Sequence, residues 1–334
     1  MSLTPEQVES RRQTIGGSDI GAILGENPYK TAYELWEEKV EGKSADFSKN
    51  KSVVIGNLLE HALLKKCALL NNKSFGYLGT VFHKEYKFLS ANIDGLLINE
   101  DLNIYSMVEI KTASIFNKDD WGPSGSQIVP NSYYAQISHY MMVKEYDQAE
   151  IFVGFVDDSV IGEVLCELNA SINEKRDPDY TEIVNKMETR LYTFYRDPEM
   201  EALILESAIS FYENHMKPWI EHGIKNPPPM DFSNKKFQDH LKKKYSIQEE
   251  SQIKLSDEFI KIKDKYLSNM VQSKFYERLA QEEKAKVIEA MGNNQKAILS
   301  DGSYFLRKMI KRKECVVKAS EYIKFELKQP KDKS

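Results

Sequence analysis

Two β-forming runs, residues 87–98 and 104–113, flank the turn-rich segment Asn99-Glu100-Asp101-Leu102-Asn103. Such a pattern predicts an antiparallel hairpin. A tight turn centred on Asp101 and Leu102 sets Asp94 across from Glu109, with both side chains on one face. Lys111 lies two residues past Glu109, so the strand's alternation puts it on that face too. Two carboxylates and an ammonium therefore converge, with apolar residues between them.

Adjacent carboxylates repel unless a proton or a cation sits between them. An oxygen-rich pocket suits Mg²⁺, which takes one or two carboxylates and completes its shell with water and phosphate oxygens. The lysine can orient or deprotonate a water, or neutralise charge building on a phosphate. Charged residues are also common on half-solvated strands. From these residues alone a surface salt bridge on an exposed hairpin stays open beside the catalytic reading.

Other segments supply partners for such a hairpin. Residues 5–13 predict a short helix, and Ile15-Gly16-Gly17-Ser18-Asp19-Ile20 a glycine-permitted turn, with Ser18 or Asp19 capping a helix through Leu24. Backbone N–H groups at such a start can hold an anion, with Arg11 and Arg12 just upstream. Most double-glycine turns are only turns. Thr31 caps a further helix through Val40. Residues 53–70 predict a strongly apolar helix with Glu60 at the border of its stripe, either at the solvent rim or pointing into a site. A helix over 128–145 carries Tyr133, Gln136, Ile137, Tyr140 and Met141 near one face. Gln136 is the one amide there, a flank residue or a site residue. Strands are expected at 75–83, 150–156 and 160–168, the last two as a hairpin around Asp157-Asp158-Ser159. Helices are expected from 178 into 196 and over 198–220. Trp121-Gly122-Pro123-Ser124-Gly125 reads as a mobile loop. Strands grouped this way, with a helix between the third and fourth, argue for a mixed α/β sheet flanked by helices.

Charge divides the chain. Residues 235–334 hold 24 Lys and Arg against 15 Asp and Glu, while the first 234 hold 22 against 36. A basic C-terminal third on an acidic body suits DNA or an acidic partner, or is a lysine-rich solvated helix. Between them residues 223–235, with three consecutive prolines, read as a semi-rigid linker. Beyond it are expected a basic helix at 235–244, a long helix at 256–291 with Phe259, Ile262, Tyr266, Met270, Leu279 and Val287 as its apolar positions, and a small hairpin over 297–310. A strand at 314–325 and a disordered tail complete the reading. Cys67, Cys166 and Cys315 are far apart, which suits a reducing compartment and offers no zinc or iron–sulfur site. No run approaches the ~20 apolar residues of a membrane span, and residues 1–15 do not form a secretory signal. There is no Walker or dinucleotide glycine loop.

Five motifs occur in order: Arg11 through Ser18-Asp19-Ile20, Gly56-Asn57-Leu58-Leu59-Glu60, Asn92-Ile93-Asp94-Gly95-Leu96, Val108-Glu109-Ile110-Lys111, and Tyr133-Tyr134-Ala135-Gln136-Ile137. Over residues 8–165 this resembles the YqaJ-like phage recombination nucleases, similar to lambda exonuclease and members of the PD-(D/E)XK nuclease superfamily. The resemblance implies an α/β PD-(D/E)XK restriction-endonuclease-like core with a mixed sheet flanked by helices. A nuclease domain over 1–222 would then be followed by the linker 223–235 and a basic, mostly helical region 236–334 with a small β-hairpin, for DNA or partner binding.

By the same resemblance Glu60, Asp94, Glu109, Lys111 and Gln136 are catalytic. Asp94, Glu109 and the Ile110 carbonyl would hold Mg²⁺, with Mn²⁺ as a substitute, and Glu60 would join or support that site. Lys111 would activate the attacking water, and Gln136 would orient the lysine or the phosphate. Arg11 and Ser18 would bind the 5′-terminal phosphate, with Tyr133 beside the DNA. The activity implied is 5′-to-3′ digestion of one strand of duplex DNA from its end, leaving a 3′ tail for a single-strand annealing protein. A ring-shaped homotrimer and a bacterial cytoplasmic setting, phage- or prophage-encoded, go with it. A PD-(D/E)XK endonuclease of restriction or repair type and a non-catalytic DNA-end-binding module are the alternatives.

Overall fold

Side-chain caps set where the first helices begin. The computed structural model describes residues 5–42, 50–101, 103–247 and 252–307. Helix α1 spans Pro5–Gln13 and α2 spans Gly17–Ile23. The cap of α2 is Gly16 rather than Ser18 or Asp19; Asp19 reaches back from the third helical position to accept the Gly16 N–H at 2.9 Å. Thr31 caps α3 (Ala32–Glu41) with a reciprocal Glu34 contact. Asn50 caps α4 (Lys51–Leu70) by accepting the Ser52 N–H. Gly56 of α4 lies so close to the sheet that a Cβ there would stand 3.0 Å from Thr112 Oγ1.

The run expected as one strand at 75–83 is two: β1 (Ser74–Gly76) and β2 (Val81–Phe82). The run 87–98 likewise divides into β3 (Ser90–Ala91) and β4 (Gly95–Ile98), with Asp94 in the break. Strand β5 (Ile104–Ser114) leads through a 3₁₀ segment, Ile115–Asp120, to α5 (Asn131–Lys144) and then β6 (Gln148–Val156).

Two expectations fail after β6. Residues 160–168 are not a strand but lie in α6 (Asp158–Glu174), because Asp157 Oδ1 accepts the Val160 N–H at 2.9 Å and starts a helix. Residues 178–196 are not one helix. A short α7 (Thr181–Lys186) gives way to β7 (Thr189–Tyr195), where Tyr192 and Phe194, two apart, are both buried on one face. Helix α8 (Pro198–Phe211) then passes through a π turn, Tyr212–Met216, into α9 (Lys217–His222).

The main sheet has the order β1-β4-β5-β6-β7, with β5 and β6 parallel and the other pairs antiparallel; β2 and β3 pair separately. This is the mixed sheet flanked by helices that the sequence implied. One face buries Val108, Ile110 and Phe152 with Leu59, Leu63 and Leu64 of α4. The other buries Met107, Ile151, Val153 and Tyr192 with Ile137 and Met141 of α5. The alternation of β5 thus sends 108 and 110 to α4 and aligns 107, 109 and 111 with α5.

The chain forms two units, Met1–Lys244 and Tyr245–Ser334. The boundary is therefore not the proline segment 223–235. That segment leads into α10 (Lys235–Lys244), which stays with the first unit. Phe237 is buried edge-on against Tyr33, and His240 bridges Glu34 and Glu37 of α3. In the second unit α11 (Glu258–Met291) carries Phe259, Ile262, Tyr266, Met270 and Leu279 exposed. Strands β8 (Lys296–Ile298) and β9 (Tyr304–Leu306) form the small hairpin. The strand expected at 314–325, Cys315 and the tail lie outside the described residues. No helix among the described residues is long and apolar enough to cross a membrane.

Candidate active site

The hairpin register fixes the centre of the site. Gly95 pairs with Val108, Leu96 with Met107 and Leu97 with Ser106, so the same register sets Asp94 opposite Glu109. A shift between Leu97 and Ile98 absorbs the longer turn without disturbing that pairing. Asp94 Oδ2 accepts the Ile110 N–H at 2.9 Å, which ties the residue in the strand break to β5.

Glu109 is 2% exposed. Its Oε1 accepts from Lys111 Nζ and from Gln136 Nε2, the latter at 2.5 Å. Its Oε2 is buried and has no hydrogen-bond partner among the described residues. Burial pushes the Glu109 carboxyl up to about 8; Asp94 adds to the rise and Lys111 opposes it. Burial likewise raises Asp94, against the pull of Lys111. Burial disfavours the Lys111 charge, but the Glu109 and Asp94 carboxylates more than reverse this and hold the ammonium above its ordinary value. Ionised, Asp94 and Glu109 are both pure acceptors. A proton or a cation must therefore occupy the space they share.

Tyr133 and Gln136, from the first turns of α5, close the site from above β5. Lys111 Nζ lies 5.0 Å from the Tyr133 ring centre. Tyr133 in turn stacks on Trp121, with ring centres 5.4 Å apart. The segment 121–125, expected to be mobile, is tied down. Arg190 donates to the Trp121 and Gly122 carbonyls at 2.8 Å each, Tyr192 Oη donates to Gly122 O at 2.6 Å, and the Gly125 N–H donates to Leu191 O at 2.8 Å. Trp121 is 5% exposed, so the glycines and proline around it shape a fixed turn. The large aromatic amid turn residues was the available signal.

Glu60 comes from the opposite layer, on α4, and is half-buried. Burial, then the Asp94 carboxylate, raise its pKa, so the two acids feel each other. Among the described residues no group of three His, Cys, Asp or Glu side chains is set up to hold a metal ion. Asp94 and Glu109 are the pair of carboxylates that the hairpin register sets side by side, and the charge of Asp94 is felt at Glu60.

The N-terminal turn is built onto the same scaffold. The Ile15 N–H donates to Phe88 O at 2.7 Å and the Ser90 N–H to Ile15 O at 2.9 Å. Lys39 pairs with buried Asp19 at 2.6 Å and donates to Arg11 O at 2.8 Å. Burial works against the Asp19 charge, and Lys39 more than offsets it, so the carboxyl stays below its ordinary value. Arg12 donates to the Lys39 and Val40 carbonyls at 3.1 Å and covers Trp219. That work is structural. Arg11 and Ser18 have exposed side chains on this held backbone.

Two buried residues of α5 were not singled out as site residues. Tyr140 Oη accepts from Gln136 Nε2 at 2.9 Å. His139 Nε2 donates to Ser90 O at 2.9 Å, and burial lowers its pKa to about 4, so it is a neutral packing group. Tyr140 was visible beside Gln136 at helical spacing; His139 gave no sequence signal.

Residues 6–147 match the YqaJ-like viral recombinase domain. The chain is 33% identical over 147 residues to the uncharacterized protein YqaJ of Bacillus subtilis (strain 168), a stretch covering 43% of this chain and 44% of that protein. The match thus spans under half the length of that curated relative. Among solved structures, the alkaline exonuclease LHK-Exo from Laribacter hongkongensis, 14% identical, aligns with 63% of this chain and 91% of its own at a TM-score of 0.44. A phage related exonuclease from Haemophilus somnus 129PT, 16% identical, aligns with 60% and 92% at 0.35.

Proposed function

We propose, from the match of residues 6–147 to the YqaJ-like viral recombinase domain, that the chain is a Mg²⁺-dependent deoxyribonuclease digesting one strand of duplex DNA from its 5′ end. The observation that carries this reading is Glu109. One carboxylate oxygen is filled by Lys111 and Gln136, the other is buried with no donor among the described residues, and Asp94 faces the same carboxyl across the hairpin. An orphaned buried carboxylate oxygen costs free energy, and a hard divalent cation is a natural remedy. The donor set fits Mg²⁺, with Mn²⁺ as a substitute.

Asp94, Glu109 and the Ile110 carbonyl would hold the ion, with Glu60 supporting from α4. Bound there, Mg²⁺ supplies Lewis-acid polarisation of the phosphate and makes water more acidic. Lys111, charged and held on Glu109, orients the attacking water and offsets negative charge building on the phosphate. Gln136 fixes the Glu109 carboxylate. Tyr133 limits where the Lys111 ammonium can go. Arg11, exposed in the last turn of α1, and Ser18, exposed in the first turn of α2, take the 5′-terminal phosphate.

The product of such digestion is a 3′ single-stranded tail, suited to a single-strand annealing protein in a bacterial cytoplasm carrying a phage or prophage. A closed ring of subunits, three by the resemblance, would keep the enzyme on its strand. The basic region after Lys244 adds DNA or partner contacts.

The test is digestion of a linear duplex labelled at either end, with and without 5′ phosphate. We expect Mg²⁺-dependent release of the 5′ label first, faster with the phosphate, and retention of the 3′ label in single-stranded product. Covalently closed circles should survive. Cleavage of those circles would move the reading to an endonuclease, and wild-type protein inert on all these substrates would overturn the nuclease assignment.

A further inference from the structure

We propose that Tyr140 is a positioning residue for the candidate active site, acting through Gln136 on Glu109; its catalytic part rests on the nuclease reading. Gln136 has one amide nitrogen with two hydrogens. One goes to Glu109 Oε1 at 2.5 Å and the other to Tyr140 Oη at 2.9 Å. Both acceptors lie on the nitrogen side, so together they fix which way the amide faces. A flipped amide would set its oxygen against the carboxylate. Residues 136 and 140 are one helical turn apart, which makes them neighbours on one face of α5.

Tyr140 is itself clamped. It is 4% exposed, and its ring lies against Gly17 at the start of α2. A Cβ at position 17 would come 2.3 Å from Tyr140 Cε1 and 2.9 Å from Cζ. No side chain fits there, which gives the second glycine of the Gly16-Gly17 pair a packing role. The line Gly17, Tyr140, Gln136, Glu109 thus runs from the N-terminal turn to Oε1 of the buried carboxylate. Its effect is to keep Oε1 occupied by its two donors and Oε2 turned to the space shared with Asp94. Partners outside the set of direct ligands, when removed, commonly lower metal affinity or activity about 10–100-fold.

The experiment compares wild type, Tyr140→Phe, Gln136→Ala and the double variant. Tyr140→Phe keeps the ring that packs on Gly17 and removes only the hydroxyl. Mn²⁺ alone is titrated calorimetrically, and kcat and KM are measured on linear duplex, with the thermal midpoint as a folding control. Tyr140→Phe should weaken Mn²⁺ binding and lower kcat by about tenfold, leaving KM for DNA and the midpoint near wild type. In the Gln136→Ala background it should have no further effect. Wild-type Mn²⁺ affinity in Tyr140→Phe, or an effect that adds in full to Gln136→Ala, overturns the proposal. Should the wild type hydrolyse no DNA, the nuclease reading falls, while the Mn²⁺ titration still decides the role of Tyr140.

Discussion

The two faces of β5 treat their side chains in opposite ways. Toward α4, Val108 and Ile110 meet Leu59, Leu63 and Phe152 in an apolar layer. Toward α5, Glu109 and Lys111 meet Gln136 and Tyr133, Gln136 in turn meets Tyr140, and one carboxylate oxygen is left buried without a donor among the described residues. Close packing on the first face holds the strand still. That rigidity lets the second face keep two carboxylates together at a cost to stability. Fold and chemistry are thus separated by the period of two that defines a strand.

The sharpest way to break this comparison is to exchange the effects of mutating each face. Phe152→Ala should cost about 3–5 kcal/mol of stability in denaturant unfolding, with activity lost only in step with unfolding. Lys111→Ala should lower kcat on linear duplex by about 10²–10³-fold, the range for losing one preorganised charge-stabilising donor, with little change in unfolding midpoint. Truncation after Lys244 probes a third region. It should leave the midpoint of the first unit in place and flatten the salt dependence of DNA binding by about 0.9 in log–log slope for each phosphate no longer neutralised. Unchanged slope and affinity would remove the proposed role of the basic region.

Glu109→Gln should give the smallest effect, of opposite sign. The folded carboxyl keeps its proton to about 8, whereas its ordinary value is 4.5. The unfolded chain therefore binds fewer protons across that window, and stability falls as pH rises through it. The penalty is absent below the lower value and complete above the upper one. Without divalent cation, the amide should raise the midpoint by about 2–4 °C at pH 8, the shift expected for ~1 kcal/mol, and by less at pH 5.

How much was legible follows from the same physics. The hairpin register was readable because alternation and turn length are local properties, and pairing through Leu97–Ser106 follows it. Thr31 and the long apolar helix were readable for the same reason. Residues 160–168 imitate a strand through their content of Val, Ile and Leu, although Val160, Val164, Leu165 and Leu168 stand at helical spacing; the deciding contact is the Asp157 cap. Residues 189–195 imitate a helix because their value lies in pairing with β6, a non-local event. Trp121 looks mobile in the sequence because its anchors, Arg190 and Tyr192, are about 70 residues away along the chain. Helix α10 could not be assigned to the first unit without its partners on α3. Glu60, Asp94, Glu109, Lys111 and Gln136 are candidates that the motifs alone offer; the Tyr140 contact to Gln136 needed coordinates, since a hydroxyl one helical turn away carries no motif.

The most direct measurement is the thermal midpoint of wild type and Glu109→Gln at pH 8, with and without Mn²⁺. A ligand that binds only the folded state raises its stability by mass action. If Asp94 and Glu109 are held together for a divalent cation, the variant is the more stable protein in its absence, and Mn²⁺ raises the wild type far more than the variant. Equal shifts in both proteins, or none in either, would contradict the account.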